Sequence, residues 1–270
     1  MNLINVDTID TYCVGDIHGD FNSISGNIKR YELSDCNMIF CGDIGFGFER
    51  PAHYKPILNK LEKLCSERNV HCFFIRGNHD DPSYFDGIRI NYPHIIAVKD
   101  YTVLNIGNVY NVLCVGGAIS IDRTYRLAMI NNEVNNYLKH HKTISNKDYD
   151  YVHRGYWSNE MPVYDESILS ELSNINIDFV CTHTCPDFCE PTTKDGISYW
   201  MIKDKDLDAD TSNERKVMTD IKDYLNNSGK ELKKWVYGHF HYHHVETIDN
   251  ITYIMLDMCR NGNFDMCKLI

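Results

Sequence analysis

Eight residues near the start of the chain, Cys13-Val14-Gly15-Asp16-Ile17-His18-Gly19-Asp20, constrain what it can fold into more than any other stretch. They read as a buried strand that stops at a carboxylate and an imidazole spaced by two. On an extended backbone, side chains at that spacing share one side. Asp16 and His18 can therefore aim at one point beyond the strand end, and the flanking glycines allow a tight exit. Three related stretches follow in order: Gly42-Asp43, Gly77-Asn78-His79-Asp80 and Gly238-His239-Phe240-His241, with an isolated His183 before the last. Asp16, His18, Asp43, Asn78, His183, His239 and His241 together suit a pair of divalent metal ions.

The residues between these stretches alternate between strand and helix patterns. Thr11 to Val14, Asn37 to Cys41 and Val70 to Ile75 read as buried strands, and each runs into one of the polar stretches. Between them, Phe21, Ile24, Ile28 and Tyr31 recur at helical spacing, as do Tyr54, Ile57, Leu58, Leu61, Leu64 and Cys65, with Pro56 in the first turn. This pattern implies an α/β layered sheet with candidate ligands at the carboxyl ends of its strands. Tyr101 to Ile106 and Val109 to Val115 flank Gly107-Asn108 and read as a hairpin with a two-residue turn. Residues 127–154 are polar and read as an inserted helical excursion or lid on the surface, and 192–213 as a charged surface loop. Ile168, Leu169 and Leu172 suggest a further helix and Ile177 to Cys181 a strand, while Val217, Met218, Ile221, Tyr224 and Leu225 mark the last helix. Three closing strands, Lys234 to Tyr237, His244 to Ile248 and Thr252 to Leu256, are consistent with a second sheet packed on the first.

Because the candidate ligands run from residue 16 to residue 241, any boundary between them would split the site, so residues 1–270 are read as one domain. The net charge of −11 disfavours extended nucleic acid as a partner, although a metal site can still attract a phosphate locally. The 11 cysteines are odd in number and several lie inside apolar runs, which reads as small buried hydrophobes with reduced thiols. No basic, apolar leader opens the chain and no run reaches membrane-spanning length, so the expectation is a cytoplasmic protein without membrane contact.

The ordered set Gly15-Asp16-Ile17-His18-Gly19, Gly42-Asp43, Gly77-Asn78-His79-Asp80, His183 and Gly238-His239-Phe240-His241 resembles the calcineurin-like metallophosphoesterase superfamily. All five of that family's sequence blocks are present, in family order and across most of the chain. The resemblance implies a four-layer α/β/β/α sandwich of two mixed sheets flanked by helices. It also implies a dinuclear site, with Asp16, His18 and His241 on one metal, Asn78, His183 and His239 on the other, and Asp43 bridging. Two cations about 3.5–4 Å apart can share a water, lower its pKa and direct the resulting hydroxide in line at phosphorus. Mixed nitrogen and oxygen donors suit manganese first, with iron, zinc or nickel as alternatives, over calcium or magnesium.

His79 resembles the family's general acid, a role an imidazole fills because it titrates near neutrality. In the protein serine/threonine phosphatase branch an aspartate three residues after the bridging one supports this histidine. Here that position is Phe46, with Gly47 where an arginine would follow, so the chain resembles small stand-alone members instead. Asp80, Asp81 or a backbone carbonyl are then the candidates to orient His79. Arg123 and Arg126 are candidates to grip phosphate through a guanidinium fork; the alternative for Arg123 is a structural pair with Asp122. The implied activity is hydrolysis of a phosphomonoester or nucleotide, with a phosphorylated small molecule, nucleotide or phosphopeptide as partner. Phosphodiester cleavage, including nuclease action, and a non-catalytic scaffold are the rival readings.

Overall fold

The structure, a computed structural model, describes residues 2–227, 229 and 231–270, with residues 146, 147 and 150 described by backbone alone. One sheet has five strands in the order β12-β2-β3-β4-β5, formed by β2 (Thr11–Val14), β3 (Cys36–Phe40), β4 (Val70–Phe74), β5 (Ile95–Ala97) and β12 (Met266–Lys268). The other has seven in the order β1-β6-β7-β8-β9-β11-β10. It is formed by β1 (Asn2–Val6), β6 (Thr102–Ile106), β7 (Tyr110–Val115), β8 (Phe179–Thr182), β9 (Lys234–Tyr237), β10 (His244–Ile248) and β11 (Ile251–Met255). In the first sheet β2 to β5 are parallel and β12 runs against β2. Helices α1 (Phe21–Arg30) and α2 (Pro51–Arg68) supply the crossovers that parallel neighbours require. In the second sheet β7, β8, β9 and β11 are parallel, while β6 and β10 run antiparallel to β7 and β11.

Alternation along the strands sorts the apolar residues into three layers. In β3 and β4, Cys36, Met38, Phe40, Val70, Cys72 and Phe74 face α1 and α2, where they meet Ile24, Ile28, Leu58 and Leu61. Their neighbours Ile39 and Phe73 turn inward with Cys41 and Ile75 and meet Cys114, Phe179, Cys181 and Val236 of the second sheet. On that sheet's far face Val103, Val180 and Trp235 pack under Leu169, Leu172, Met218, Ile221 and Leu225. These belong to α5 (Glu166–Glu171), the short turn after it, and α7 (Leu207–Asn227). The result is the four-layer α/β/β/α sandwich.

Several local expectations change. Residues 192–213, expected as a loop, carry the short helix α6 (Ser198–Lys203) and the first turns of α7. Asp208 and Asp210 in the first turn of α7 favour the positive end of the helix dipole. The buried face runs back through Glu214 and Thr211 to Leu207, and the two polar members hide that continuation from an apolar-spacing reading. Helix α2 starts at Pro51, so Pro56 lies inside the helix and not in its first turn. In the β6–β7 hairpin Val109 N–H donates to the Ile106 carbonyl at 3.0 Å across the expected turn. Ile106 nevertheless pairs with Tyr110, leaving Val109 as an extra residue. Residues 127–154 hold the end of α3 (Arg123–His140) and α4 (Asn146–Val152); α3 buries none of its residues. No helix among the described residues is long and apolar enough to cross a membrane.

Ile39 is fully buried between the two sheets. Truncation to alanine should cost about 2–5 kcal/mol, read as a lower urea midpoint with an unchanged slope. A loss under about 1 kcal/mol would show that the layer between the sheets is not packed as described.

Candidate metal centre

The loops leaving β2, β3 and β4 in one sheet meet those leaving β8 and β9 in the other. They are tied to one another by backbone bonds: Ile17 and His18 N–H donate to the Asp43 carbonyl at 3.2 and 2.8 Å, and Gly238 N–H to the His183 carbonyl at 3.1 Å. His18, Asp43, His239 and His241 all sit in the left-handed region, at φ of 44°, 49°, 72° and 58°. Such conformations are costly away from glycine and persist where surrounding contacts impose them, often at functional sites. Close approach adds a second constraint. A Cβ on Gly42 would stand 2.1 Å from His183 Nδ1, and one on Gly77 2.1 Å from Asp43 Oδ1.

Asp16, His18, Asp43 and His241 form one cluster, each offering a ligand atom within 4.8 Å of all the others. His18 Nε2 lies 3.1 Å from His241 Nε2, and His241 Nε2 lies 3.3 Å from Asp16 Oδ2. Beside it, His183 Nδ1 meets the Cys41 carbonyl at 2.7 Å, which fixes its proton there. Nε2 of His183 then faces two oxygen acceptors, Asn78 Oδ1 at 2.9 Å and Asp43 Oδ1 at 3.3 Å. Against its burial, the Asp43 carboxylate raises His183 to about 10, so positive charge is held between these oxygens, and a divalent cation fits the donor set in place of that proton. The His239 ring stands 4.9 Å from the His183 ring, edge to face. Burial first, and then the charge on His183, hold His239 well below its usual value, so its ring stays neutral. Burial works to raise Asp43, but the imidazoles of His183 and His79 outweigh it and hold the carboxyl well below the usual range.

Five buried groups, Asp80, Ser120, Glu160, Thr184 and Glu214, brace the site, and of these the sequence reading singled out Asp80 alone, as a partner for His79. Asp80, fully buried, accepts from the N–H groups of Ile44, Gly45, Phe46 and Gly77 at 3.1, 2.7, 3.0 and 2.9 Å. It therefore ties the Asp43 loop to the Asn78 loop and does not orient His79. Burial, with the nearby Asp43 charge, pushes it up to about 7. Asn78 Nδ2 donates to Ser120 Oγ at 3.0 Å, and Ser120 Oγ to Glu160 Oε2 at 2.6 Å. Glu214 accepts from Thr184 Oγ1 at 2.5 Å, next to His183. Burial raises Glu160 and Glu214 to about 7. A signal for Glu214 was available, since it falls on the apolar face of α7 three and four residues before Val217 and Met218.

His79 N–H donates to Asp43 Oδ1 at 2.8 Å, and its ring faces a cavity of about 570 Å³ beside the cluster. Asp81 accepts from Ser83 N–H and makes no bond to that ring among the described residues. Arg126 is the neighbour instead, with Nη1 3.2 Å from Nδ1 and Nη2 3.0 Å from Nε2. Burial first, with the Arg126 charge, moves His79 down to about 4 against the pull of Asp43. Arg126 is itself held by Asp122 Oδ1 at 2.5 Å and the Gly155 carbonyl at 3.0 Å. Arg123 stands elsewhere. Its guanidinium is taken up by Asp204 at 2.5 and 3.1 Å and by Asp210 at 2.6 Å, so the expected phosphate grip by Arg123 gives way to an ion-pair clasp between α3 and the approach to α7. Asp122 pairs with Arg126, not with Arg123.

A two-sheet α/β/β/α sandwich with Asp, Asn and His gathered where its strands end describes a class of metal-dependent enzymes. The calcineurin-like phosphoesterase profile matches residues 9–243, and the chain belongs to that family. None of the curated proteins compared matches it. Among solved structures, one crystal structure is 16% identical and covers 96% of this chain and 95% of its own, with a TM-score of 0.54, which shows the shared fold. A dimetal phosphatase from Danio rerio is 11% identical and covers 94% and 88%, with a TM-score of 0.45. A phosphopantetheinyl hydrolase from Mycobacterium tuberculosis is 13% identical and covers 98% and 97%, with a TM-score of 0.43.

Alanine at Gly77 would drive its Cβ into Asp43. Elemental analysis of Gly77→Ala, purified folded, should find metal content reduced by at least half; full retention would mean that Asp43 does not depend on this approach.

Proposed function

We propose that the protein is a dinuclear metal-dependent phosphoesterase acting on a phosphomonoester. Asp16, His18 and His241 would hold one divalent ion, Asn78, His183 and His239 the other, and Asp43 both. When bound, the ions supply electrophilic charge for the phosphoryl oxygens and lower the pKa of an attacking water. Manganese is the first candidate, with iron, zinc or nickel after it. The observation that carries this reading is the convergence of the Asp16, His18, Asp43 and His241 donor atoms at the strand ends.

The chain's own groups carry the remaining work. His79 stands at the cavity wall, with Nε2 3.9 Å from Asp43 Oδ2. There it would hand a proton to the departing ester oxygen, a contribution typically worth about 10²–10⁴ in rate; burial makes the protonated ring the minor form near neutral pH, and the negative charge of a bound phosphoryl group would raise its share. Arg126 lines the same cavity and offers its charge to the phosphoryl group while its bonds to Asp122 and Gly155 fix its position. Ser120 orients the Asn78 carboxamide so that its oxygen faces the site. The acidic surface, at a net −11, opposes long nucleic acids and leaves small esters as the substrate class.

Two substitutions separate binding from turnover. His79→Asn should lower kcat on a generic aryl phosphate by about 10²–10⁴ with metal content unchanged, and undiminished turnover would take His79 out of the reaction. Asp43→Asn should lose both metals by elemental analysis, and retention of two per chain would remove its bridging role. A manganese-loaded wild type that hydrolyses no phosphate ester would contradict the proposed activity itself.

A further inference from the structure

The cavity beside the candidate centre is far larger than a phosphoryl group needs. Its volume of about 570 Å³ falls in the range of sites that enclose whole small ligands. Its lining includes Asp43, Asn78, His79 and the histidines of the last loop. The rest of the lining includes side chains to which the proposed reaction gives no role. Residues 191–200 contribute Ile197 and Trp200, and the loop after β9 contributes Phe240 and Tyr242. Trp200 and Phe240 are half-buried and Tyr242 is 40% exposed, so ring surface is left open to the cavity. The Trp200 indole N–H makes no hydrogen bond among the described residues, unlike that of Trp235, which donates to Thr182 Oγ1 at 2.7 Å.

The cations in the lining differ in the same sense. Lys194 is paired with Asp208 at 2.6 Å and Arg126 with Asp122 at 2.5 Å. Arg215 is held by backbone carbonyls, those of Pro186 at 2.8 Å, Cys189 at 2.5 Å and Pro191, and its guanidinium lies 5.7 Å from the Phe240 ring centroid. No carboxylate neutralises it within ion-pair distance among the described residues. A braced cation beside aromatic faces suits a flat ring bearing electronegative edge atoms. An alkyl group would leave both the ring faces and the charge unused.

Building on the phosphoesterase reading above, we propose that this wall is a specificity site for a phosphomonoester whose organic part carries a flat aromatic ring of nucleobase size, stacked on Trp200 and bounded by Phe240 and Tyr242. The ring could reach the site on a nucleoside or on a phenol. The two sources share the chemistry and are told apart by substrate.

The test measures kcat/KM of the manganese-loaded enzyme on adenosine 5′-monophosphate, phenyl phosphate and glycerol phosphate. It also measures binding of adenosine alone by calorimetry, which needs no turnover. At least one aromatic ester should exceed glycerol phosphate by about tenfold, the order expected from one base-on-aromatic contact. Which of the two does so identifies the source. In Trp200→Ala that ratio should fall about tenfold while Trp200→Phe retains most of it, and circular dichroism confirms that both variants fold. If adenosine monophosphate is the preferred ester, adenosine should bind the wild type and not Trp200→Ala. Equal kcat/KM on all three esters, or a ratio unchanged in folded Trp200→Ala, overturns the specificity site while leaving the phosphoesterase reading in place. Failure to turn over any ester with metals bound is the separate outcome that overturns the activity.

Discussion

The carboxylate of Asp80 holds the rest of the site in place. It lies fully buried and takes four backbone N–H groups, three from the loop after Asp43 and one from Gly77. Buried amides without acceptors would each cost about 1–3 kcal/mol, so this one side chain satisfies the turn that presents Asp43 and the turn that presents Asn78 together. The left-handed backbone at Asp43 and the close pass of Gly77 over its carboxylate are imposed by the same crossing of loops. The same bonds that favour ionised Asp80 are opposed by its burial and by Asp43, and burial prevails, leaving it near neutrality.

The two sheets give that crossing a rigid base. Ile39, Cys41, Phe73 and Ile75 from one and Cys114, Phe179, Cys181 and Val236 from the other close the apolar layer directly beneath the candidate ligands. Into its upper edge the chain brings Asp16, Asp43 and His183, none more than 1% exposed. Gathering carboxylates in a dry layer is unfavourable unless cationic charge arrives with them. Imidazoles that stay neutral complete such a shell without further anionic charge, and the depressed value of His239 has that consequence. Polar chains behind the candidate ligands, Ser120 with Glu160 and Thr184 with Glu214, keep Asn78 and the His183 loop in one orientation each.

Much of this was legible in the sequence, and the parts that were not have physical causes. The strands ending at Asp16, Asp43 and Asn78 announced themselves because each apolar run stops at a glycine followed by a donor. The second sheet followed from the three strands that recur near the C-terminus. Strand β1 was missed because Asn2–Val6 alternates weakly at an edge, and β12 because it is three residues long. The onset of α7 was hidden by Thr211 and Glu214, polar residues on a buried face, and Asp80 by its place beside His79, where it read as a partner for the imidazole. Arg123 shows the limit most plainly. Its type and spacing suit phosphate, but Asp204 and Asp210, some 80 residues on, take its charge, and only the folded chain brings them together.

The central claim is that side chains from five loops make one cage for two ions. Crystals soaked in manganese and measured at its absorption edge test it directly. Two anomalous peaks should appear, one bounded by Asp16, His18 and His241, the other by Asn78, His183 and His239, with Asp43 between them. A manganese-soaked crystal with no peak among these residues, or with ions bound only elsewhere on the chain, would contradict it.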